Sequence, residues 1–471
     1  MYRLKITDAD FEYLRTCLFA SYPREAGAFA LAGAFHRNDG MDILVRRPVQ
    51  VPPHLFLVQR EERLEVSSQA INGLAALCEA NKLGAVICHS HPEDSLYSPS
   101  DDFGEQRIFK ALESFIPKRA PMASLLFYPD GIRGRVWLPD RRKFAPMAEV
   151  VVLGRSIHRM AVNQAGLDEE PGELYDRQVR AFGKTGQALI SHARVAIVGV
   201  GGTGSPTAEQ LVRLGVRDLV LVDHDTFTAS NLTRMYGTFA APSSRWRWGR
   251  RKKSEGRLKV TLLAEHLRKI QPNIQLRSIP RNVVLRDAAE SLLDRDVIFL
   301  CTDEHWGRSV VNELAYQYLI PTINLGMSIR SQDGSITGAS GAVDVIRPGT
   351  ACLWCSRFLN SGRISAESLS RSQRRSLQGE GYVEDIDTPA PSVISMTTAL
   401  SGMAVTLFLQ LVTDFMGTSG AISHLRYDIM NGTVRRGTTQ IVPDCVCQKA
   451  KGFGDLRRLP ALEALPLSEG V

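Results

Sequence analysis

The sequence predicts an α/β protein of two domains, the second built on a mostly parallel sheet. The chain has 471 residues, more than a single hydrophobic core ordinarily serves. Three runs of consecutive aliphatic or aromatic residues, at 195–198, 219–222 and 297–300, are typical of strands buried on both faces of a parallel sheet. Because the first two runs are separated by a glycine turn and a segment of helical length ending at Leu214, the pattern predicts a strand–helix–strand unit.

Composition narrows the class of protein further. A hydrophobic fraction of 44% supports a globular fold, and a net charge of +7 is too small for this length to indicate nucleic-acid binding. The eight cysteines include two close pairs, which favour a metal site in a reducing compartment over a disulfide framework. The first residues carry charges without an apolar core, so we expect no secretory signal and a cytoplasmic protein.

One uncharged stretch, 388–413, is long enough to cross a bilayer. After its first residue it reads Pro-Ala-Pro-Ser, and it keeps Ser, Thr, Gly and Gln along its length, which a lipid-facing helix disfavours. We therefore expect a helix buried in the protein and no membrane span.

The first 145 residues contain a candidate metal site. Glu25 precedes a strand of small residues, and a second strand, 84–88, leads directly into His89 and His91. Two histidines two residues apart on an extended chain point the same way, so both can reach one ion. Asp101 in the following loop supplies a third ligand and leaves one zinc position open, as catalytic sites require.

These residues resemble the JAB/MPN (JAMM) metalloprotease family, whose pattern is a glutamate, then His-x-His-Pro, then Ser-x-x-Asp. The resemblance implies an α/β metalloprotease-like domain over 1–145 that cleaves isopeptide or C-terminal peptide bonds of ubiquitin-like modifiers. It implies that His89, His91 and Asp101 hold zinc, that Glu25 transfers protons and that Ser98 polarises the scissile carbonyl. The loop before Ser98 is one residue shorter than usual in the family, which leaves Asp102 as a rival ligand. A metal-free domain stays an alternative.

A linker over 146–172 is predicted from its poor periodicity and from an acidic Pro-Gly cluster at its end.

The glycine turn after the strand 195–198 predicts a nucleotide site. Glycines let the backbone approach a phosphate, and an acid at the end of the next strand can bind a ribose. Alone, this pattern fits either NAD or ATP. Further polar residues decide for ATP, because a triphosphate with Mg²⁺ needs cations and an acid that a redox site does not. These are Arg177, Asn231, Arg234, Lys259 and Asp303.

The same elements, in the same order, resemble the E1-like adenylyltransferases of the ThiF/MoeB and ubiquitin-activating group. The resemblance covers about 173–450 and implies a Rossmann-like domain, assigned here to 173–455, with a tail at 456–471. It implies that Mg²⁺ lies on Asp303 and that Arg177 comes from the other subunit of a homodimer. The implied ATP ligands are Gly199, Gly201, Gly202, Gly204, Asp223, Asp225, Asn231, Arg234 and Lys259.

Two cysteine pairs match the structural zinc site of that family: Cys352 with Cys355, and Cys445 with Cys447. Four thiolates give a closed tetrahedral site. No cysteine then remains between residues 356 and 443, where relatives that form a thioester keep their nucleophile. Cys301 is a weaker candidate, since a cysteine at a buried strand end is usually a packing residue.

Two segments look added to this domain. The basic, Trp-containing run 245–253 could grip an acidic partner, although a solvated loop is favoured. Residues 363–385 match the crossover that relatives place over the modifier's tail.

Together these features predict ATP-dependent adenylation of a ubiquitin-like protein, joined to zinc-dependent isopeptidase or processing activity. An E2-like carrier is a possible partner. One alternative is sulfur-carrier activation, with the metalloprotease releasing a product; another is a scaffold whose N-terminal domain is inactive.

Overall fold

The computed structural model describes residues 1–93, 95–161, 172–240, 256–370, 372–374, 376 and 390–464. The chain forms two compact units. The first unit contains Met1–Ala165 together with Tyr316–Leu319 and Gln448–Leu459. The second unit contains Gly166–Ala315, Ile320–Cys447 and Pro460–Val471.

Up to residue 161 the chain alternates strands with three helices. The helices are α1 (Asp8–Phe19), α2 (Ser68–Asn81) and α3 (Pro99–Leu112). The strands are β1 (Tyr2–Thr7), β2 (Gly27–Arg37), β3 (Gly40–Gln50), β4 (Phe56–Arg60), β5 (Arg63–Val66), β6 (Gly84–Ser90), β7 (Met122–Tyr128), β8 (Gly131–Leu138), β9 (Lys143–Pro146), β10 (Glu149–Leu153) and β11 (Ile157–Ala161).

Nine of these strands form one mixed sheet in the order β11-β10-β1-β3-β2-β6-β7-β8-β9, and β4 pairs with β5 alone. One core cluster includes Leu4, Leu14 and Leu125, and another includes Leu74 and Phe109. The central strand β6 is buried along its whole length, and His89 lies at its end. The sheet thus holds the first histidine on a rigid element.

The start of the predicted linker 146–172 belongs to this sheet. β10 pairs in parallel with β1 and antiparallel with β11. Val150–Leu153 is buried, because its aliphatic side chains complete the hydrophobic core beside β1. Residues 162–171 lie outside the described part of the chain.

From residue 172 onward the helices are α4 (Asp176–His192), α5 (Gly204–Leu214), α6 (Lys259–Ile270), α7 (Arg286–Glu290), α8 (His305–Gln317), α9 (Ser361–Glu367), α10 (Ile394–Thr413) and α11 (Val446–Ala450). The strands are β12 (Arg194–Val198), β13 (Asp218–Val222), β14 (Gln275–Ile279), β15 (Val297–Leu300), β16 (Thr322–Gln332), β17 (Ser335–Ile346), β18 (His424–Asp428) and β19 (Thr433–Gly437).

The second unit is built on one eight-stranded sheet in the order β14-β13-β12-β15-β16-β17-β18-β19. The strands from β14 to β16 pair in parallel, and the remaining pairs are antiparallel. The chain moves outward from β12 to β14 and then returns to place β15 on the other side of β12. A reversal of this kind opens a crevice at the carboxyl ends of the two strands, where α/β proteins bind ligands.

The apolar stretch predicted as a buried helix contains α10. This helix is long and apolar enough to cross a membrane, and 50% of its most apolar window is buried in the protein. The Ser401 hydroxyl donates to the carbonyl of Thr203 at 2.8 Å, and the ring of Phe408 lies 5.9 Å from that of Phe299. One face of α10 therefore packs into the second unit.

Candidate functional site

A cleft of about 250 Å³ lies at the carboxyl ends of β12 and β15. Eight of the residues predicted to act on ATP line this cleft. They are Gly199, Gly201, Gly202, Asp223, Asp225, Arg234, Lys259 and Asp303.

The positions in the turn require glycine for different physical reasons. Gly199 has φ +86°, a conformation that favours glycine. A side chain on Gly204 would place Cβ 1.9 Å from the carbonyl oxygen of Gly199, so only glycine fits there. Gly201 has open space around it, and a Cβ on Gly202 would meet Ser392 and Arg234 only at 3.4 Å or more. The first pair shapes the turn, while the second pair leaves room for a ligand close to the backbone.

The acids after β13 are held by the backbone and by one lysine. Asp223 accepts hydrogen bonds from the amides of Val200 and Asp225, each at 2.8 Å. Lys259 donates to Asp225 at 2.6 Å. Burial raises the pKa of Asp223; it acts in the same direction on Asp225, but Lys259 outweighs it and lowers the pKa there. Asp225 therefore stays charged and holds the lysine ammonium beside the cleft.

Arg234 and Asp303 bring opposite charges to the same cleft. The Arg234 Nε is buried and has no hydrogen-bond partner among the described residues. A buried guanidinium nitrogen without a partner fits an anionic ligand, and the nearby carboxylate of Asp303 is a donor that Mg²⁺ prefers.

Three predicted residues lie outside the lining of this cleft: Gly204, Asn231 and Arg177. Gly204 shapes the turn and does not face the cleft. Asn231 is buried, and its Oδ1 accepts from the amide of Thr228 at 2.9 Å, so it stabilises the turn that precedes Arg234. Arg177 lies on α4. Its predicted action in a second subunit stays a prediction.

Several cleft residues were not predicted from the sequence, and Arg308 is the most informative of them. It is 7% exposed, donates to the carbonyl of Leu325 at 3.0 Å and lies over the Phe358 ring. Burial lowers the pKa of this guanidinium. The sequence could have indicated Arg308, because it lies in the first turn of α8, the helix that follows β15 and Asp303. Arg281, Asn282, Glu304 and Ser392 also line the cleft.

The four clustered cysteines come together within the second unit. The sulfur of Cys352 lies 3.7 Å from that of Cys355 and 3.6 Å from that of Cys445, and Cys355 lies 3.9 Å from Cys447. Hydrogen bonding from Cys447 is the main effect that lowers the pKa of Cys352, to about 5. The compact thiol set suits a structural zinc.

Cys301 is not part of that set. Burial raises the pKa of its thiol to about 12. A thiol that stays protonated is a poor nucleophile, so the site gives Cys301 no support as one.

A second group of polar residues lies in the first unit. His89, His91 and Asp101 each offer a ligand atom, and these atoms lie within 4.8 Å of one another. Both histidines are 6% exposed, and the Nε2 of His89 is buried without a hydrogen-bond partner in the described part of the chain. Two imidazole nitrogens, one of them unpartnered, and a carboxylate oxygen form a donor set that fits a zinc ion.

Glu25 and Ser98 flank this group. Glu25 is 6% exposed, with its Oε1 3.6 Å from the Nε2 of His91, and burial raises its pKa. Ser98 is the N-cap of α3, and both its amide and its hydroxyl donate to the carboxylate of Asp101, at 2.7 and 2.8 Å. Ser98 thus orients Asp101 in this structure.

The choice between Asp101 and Asp102 depends on where α3 begins. Asp101 Oδ1 lies 3.5 Å from the Nε2 of His89, and Oδ2 lies 3.4 Å from that of His91. Asp102 points elsewhere and pairs with Arg135. The geometry therefore groups Asp101, not Asp102, with the two histidines.

Other expectations fall partly or wholly outside the described residues. The basic run 245–253 lies there, as do residues 371, 375 and 377–385 of the crossover region and residues 465–471 of the predicted tail.

Comparison with known proteins identifies the second half of the chain. The family model described as ThiF family matches residues 175–448. This match confirms the predicted E1-like domain. It does not include residues 1–174, and the resemblance of residues 1–145 to JAB/MPN proteins stays a prediction.

Curated relatives cover parts of the chain. The chain is 31% identical over 195 residues to the molybdopterin-synthase adenylyltransferase of Escherichia coli (strain K12), covering 41% of this chain and 70% of that relative. It is 27% identical over 270 residues to ubiquitin-like modifier-activating enzyme 5 of Drosophila willistoni, covering 54% and 57%. It is 30% identical over 172 residues to adenylyltransferase and sulfurtransferase UBA4 of Meyerozyma guilliermondii, covering 36% and 37%. The chain thus spans 57% of the length of the Drosophila willistoni relative and 37% of that of the Meyerozyma guilliermondii relative.

Among solved structures, E. coli MccB with AMPCPP and MccA aligns with a TM-score of 0.46 at 15% identity, over 60% of this chain and 75% of that one.

Proposed function

Because this chain belongs to the ThiF family, we propose that its second unit uses ATP to adenylate the C-terminal carboxylate of a ubiquitin-like or sulfur-carrier protein. The observation that carries the proposal is the convergence of the glycine turn, Arg234, Lys259 and Asp303 on one cleft at the carboxyl ends of β12 and β15. The named activities of the relatives agree with it.

Different cleft residues would have different roles in adenylation. The open backbone at Gly201 and Gly202 receives phosphates, and Asp223 lies at the strand end where a ribose would bind. Lys259 and Arg234 offset the negative charge that develops as a carboxylate attacks the α-phosphate and pyrophosphate leaves. Asp303 would hold Mg²⁺, which supplies charge neutralisation on the phosphates when bound.

Pyrophosphate exchange tests this proposal. We expect exchange of labelled pyrophosphate into ATP that depends on a candidate small protein ending in Gly-Gly. Asp303→Ala should lower the exchange rate about 100-fold or more, as loss of an electrostatic group at a reacting phosphate does. Asp333→Asn, in an exposed turn outside the lining of the cleft, is the control. Exchange at the wild-type rate in Asp303→Ala would contradict the assignment of this residue.

For the first unit we propose a zinc-dependent isopeptidase or processing activity on the same modifier tail. The grouping of His89, His91 and Asp101 beside Glu25 supports it. Zinc held by the three ligands would act as a Lewis acid toward water and the scissile carbonyl. Glu25, whose pKa is raised by burial, is placed to accept a proton from water and return it to the leaving amine.

Cleavage of a fusion between the modifier and a short C-terminal extension tests this activity. Glu25→Gln should lower the rate of cleavage by about 100-fold or more while zinc stays bound, because it removes the proton acceptor and leaves the ligands intact. Glu79→Gln, an exposed change on α2, is the control. Absence of cleavage by the wild type, with one zinc per chain, would instead support an inactive scaffold domain.

Conjugation and sulfur transfer are the two outcomes proposed for the adenylate. No cysteine lies between residues 356 and 443. That absence favours direct transfer of the acyl group over a thioester on this segment, and it keeps the sulfur-carrier alternative. Formation of a thiocarboxylate would identify sulfur transfer, and a modifier–protein conjugate would identify conjugation. A cytoplasmic location, a homodimer and an E2-like carrier belong to the same proposal.

A further inference from the structure

Glu105 is a buried acid next to the candidate zinc site that the predicted chemistry does not use. It lies on α3, four residues and about one turn beyond Asp101, so the two side chains share a face of the helix. Glu105 is 5% exposed. Its Oε1 lies 3.5 Å from the Nδ1 of His89.

A second layer of side chains fixes this carboxylate. The Ser124 hydroxyl donates to Oε1, and Arg135 donates to Oε2 from Nε at 2.9 Å and from Nη2 at 2.7 Å. The Arg135 guanidinium lies between the rings of Tyr97 and Phe144, at 3.7 and 3.9 Å from their centroids. Glu105 therefore has little freedom to turn away from His89.

Arg135 also binds the residue beside Asp101. Its Nη1 donates to Asp102, at the first turn of the same helix. Arg135 comes from β8, so it ties that strand to α3 at two points, Asp102 and Glu105. The rival ligand of the sequence analysis thus has a role in holding the helix that presents Asp101.

The two nitrogens of His89 face different partners. Nδ1 faces Glu105, while Nε2 lies 3.5 Å from Asp101 and has no hydrogen bond with any residue that the structure describes. A carboxylate at Nδ1 favours the tautomer that carries its proton there, which leaves the lone pair of Nε2 directed at the ligand group. The orientation of His89 then depends on Glu105.

We propose that Glu105, held by Arg135 and Ser124, is a positioning residue that fixes the tautomer and ring orientation of His89 for zinc binding. The inference rests on the function proposed for the first unit. It differs from a purely structural role, in which Glu105 serves only to neutralise the buried Arg135.

Zinc affinity separates these roles. Zinc bound to the full-length chain is measured against free zinc set by a chelator, for the wild type, Glu105→Gln and His89→Ala. The zinc that the wild type binds and His89→Ala does not is the zinc of the first unit. Glu105→Gln should lower the affinity for this zinc by about 10- to 100-fold, the usual effect of losing a hydrogen-bond partner behind a metal ligand. Zinc on the four cysteines should not change.

Glu113→Gln is the matched control, because Glu113 follows the same helix and accepts from Trp137 at 3.0 Å without facing His89. Its zinc affinity should equal that of the wild type, even if its melting temperature falls. Equal affinity in Glu105→Gln and the wild type would overturn the inference. Equal zinc content in His89→Ala and the wild type would overturn the metal site itself, and the inference with it.

Ser124→Ala covers the case in which Glu105→Gln fails to fold. It removes one donor to Glu105 and leaves the pair with Arg135 in place. We expect zinc to bind more weakly than in the wild type, by less than in Glu105→Gln. Unchanged zinc affinity in a folded Ser124→Ala protein would count against the proposal.

Discussion

Gly201 and Gly204 lie in the same turn but meet different surroundings. A Cβ on Gly204 would press on the carbonyl of Gly199, which is backbone and cannot move aside. A Cβ on Gly201 would enter open space beside the cleft. The two positions thus separate the demands of folding from those of the ligand.

Replacing each glycine by alanine should therefore give opposite results. Gly204→Ala should destabilise the second unit by about 1–3 kcal/mol, the usual range for overpacking, and lower its melting temperature. Gly201→Ala should melt like the wild type but bind ATP more weakly, because the added methyl group intrudes where phosphate approaches the backbone. Thermal unfolding and calorimetric titration with ATP measure the two effects. Equal melting temperatures for the two variants would contradict this account of Gly204.

The acids Asp101 and Asp102 show the limit of sequence reasoning at the residue scale. Both follow Ser98 closely, and the spacing alone left Asp102 as a rival. The capping box between Ser98 and Asp101 fixes the start of α3 and turns Asp102 toward Arg135. A helix start decides which of two adjacent carboxylates faces a site, and that start depends on hydrogen bonds that the sequence suggests only in outline.

At the scale of elements, three neighbouring strands carry a buried polar row. Asn324 on β16 is opposite Asp344 on β17, which is opposite His424 on β18. Asp344 is 1% exposed; it accepts from Asn324 at 2.9 Å and pairs with His424 and Arg426 at 2.8 and 2.7 Å. Burial alone would raise the pKa of Asp344, but His424 and Arg426 outweigh it, so the net pKa is lowered. The row couples the strands through one buried charge.

The stability of the second unit should therefore fall in acid. A carboxyl group whose folded pKa lies below its unfolded value of about 3.9 stabilises the fold above that pH, and this contribution is lost as pH falls through the folded pKa. Asp344→Asn should cost about 3 kcal/mol near neutral pH, because it leaves His424 without its charged partner. It should also reduce the fall in the free energy of unfolding that the wild type shows below about pH 4.

Urea unfolding of the second unit between acid and neutral pH checks this expectation. Asp333→Asn is the matched control, since Asp333 lies in the exposed turn of the hairpin between β16 and β17 at φ +50°, which asparagine tolerates. If the stability of Asp344→Asn falls with pH as steeply as that of the wild type, other groups cause the acid sensitivity.

For the molecule as a whole, the first unit is not a continuous stretch of sequence. Residues 448–459 belong to it. The amide of Gly33 donates to the carbonyl of Gly452 at 3.0 Å, and the amide of Asp455 donates to that of Ala34 at 2.7 Å. The Asp455 carboxylate also accepts from the amide of His36 at 2.8 Å. The C-terminal segment therefore satisfies backbone groups on β2.

Removing this segment should weaken the first unit. A chain ending at residue 447 leaves amides of β2 without their partners, and we expect faster hydrogen exchange at Gly33 and His36 and a lower melting temperature for this unit. A chain ending at residue 464 keeps all of these contacts and serves as the control. Unchanged exchange at both amides in the shorter chain would refute this role of residues 448–459.

The sequence by itself determined the features whose chemistry is local. The glycine turn, the pair of histidines two residues apart and the two cysteine pairs are each encoded within about ten residues, and strand and helix periodicity placed them on their elements. The order of ATP-site elements along the chain was enough to predict the E1-like domain, which the family match confirms.

The tertiary structure decided what depends on packing between distant segments. Arg308 and Ser392 reach the cleft, Glu105 faces His89, and Asp455 contacts a strand 419 residues earlier in the chain. Sheet order and side-chain direction bring such residues together, and both follow from how the whole chain buries its apolar surface. No periodicity within one segment records that outcome.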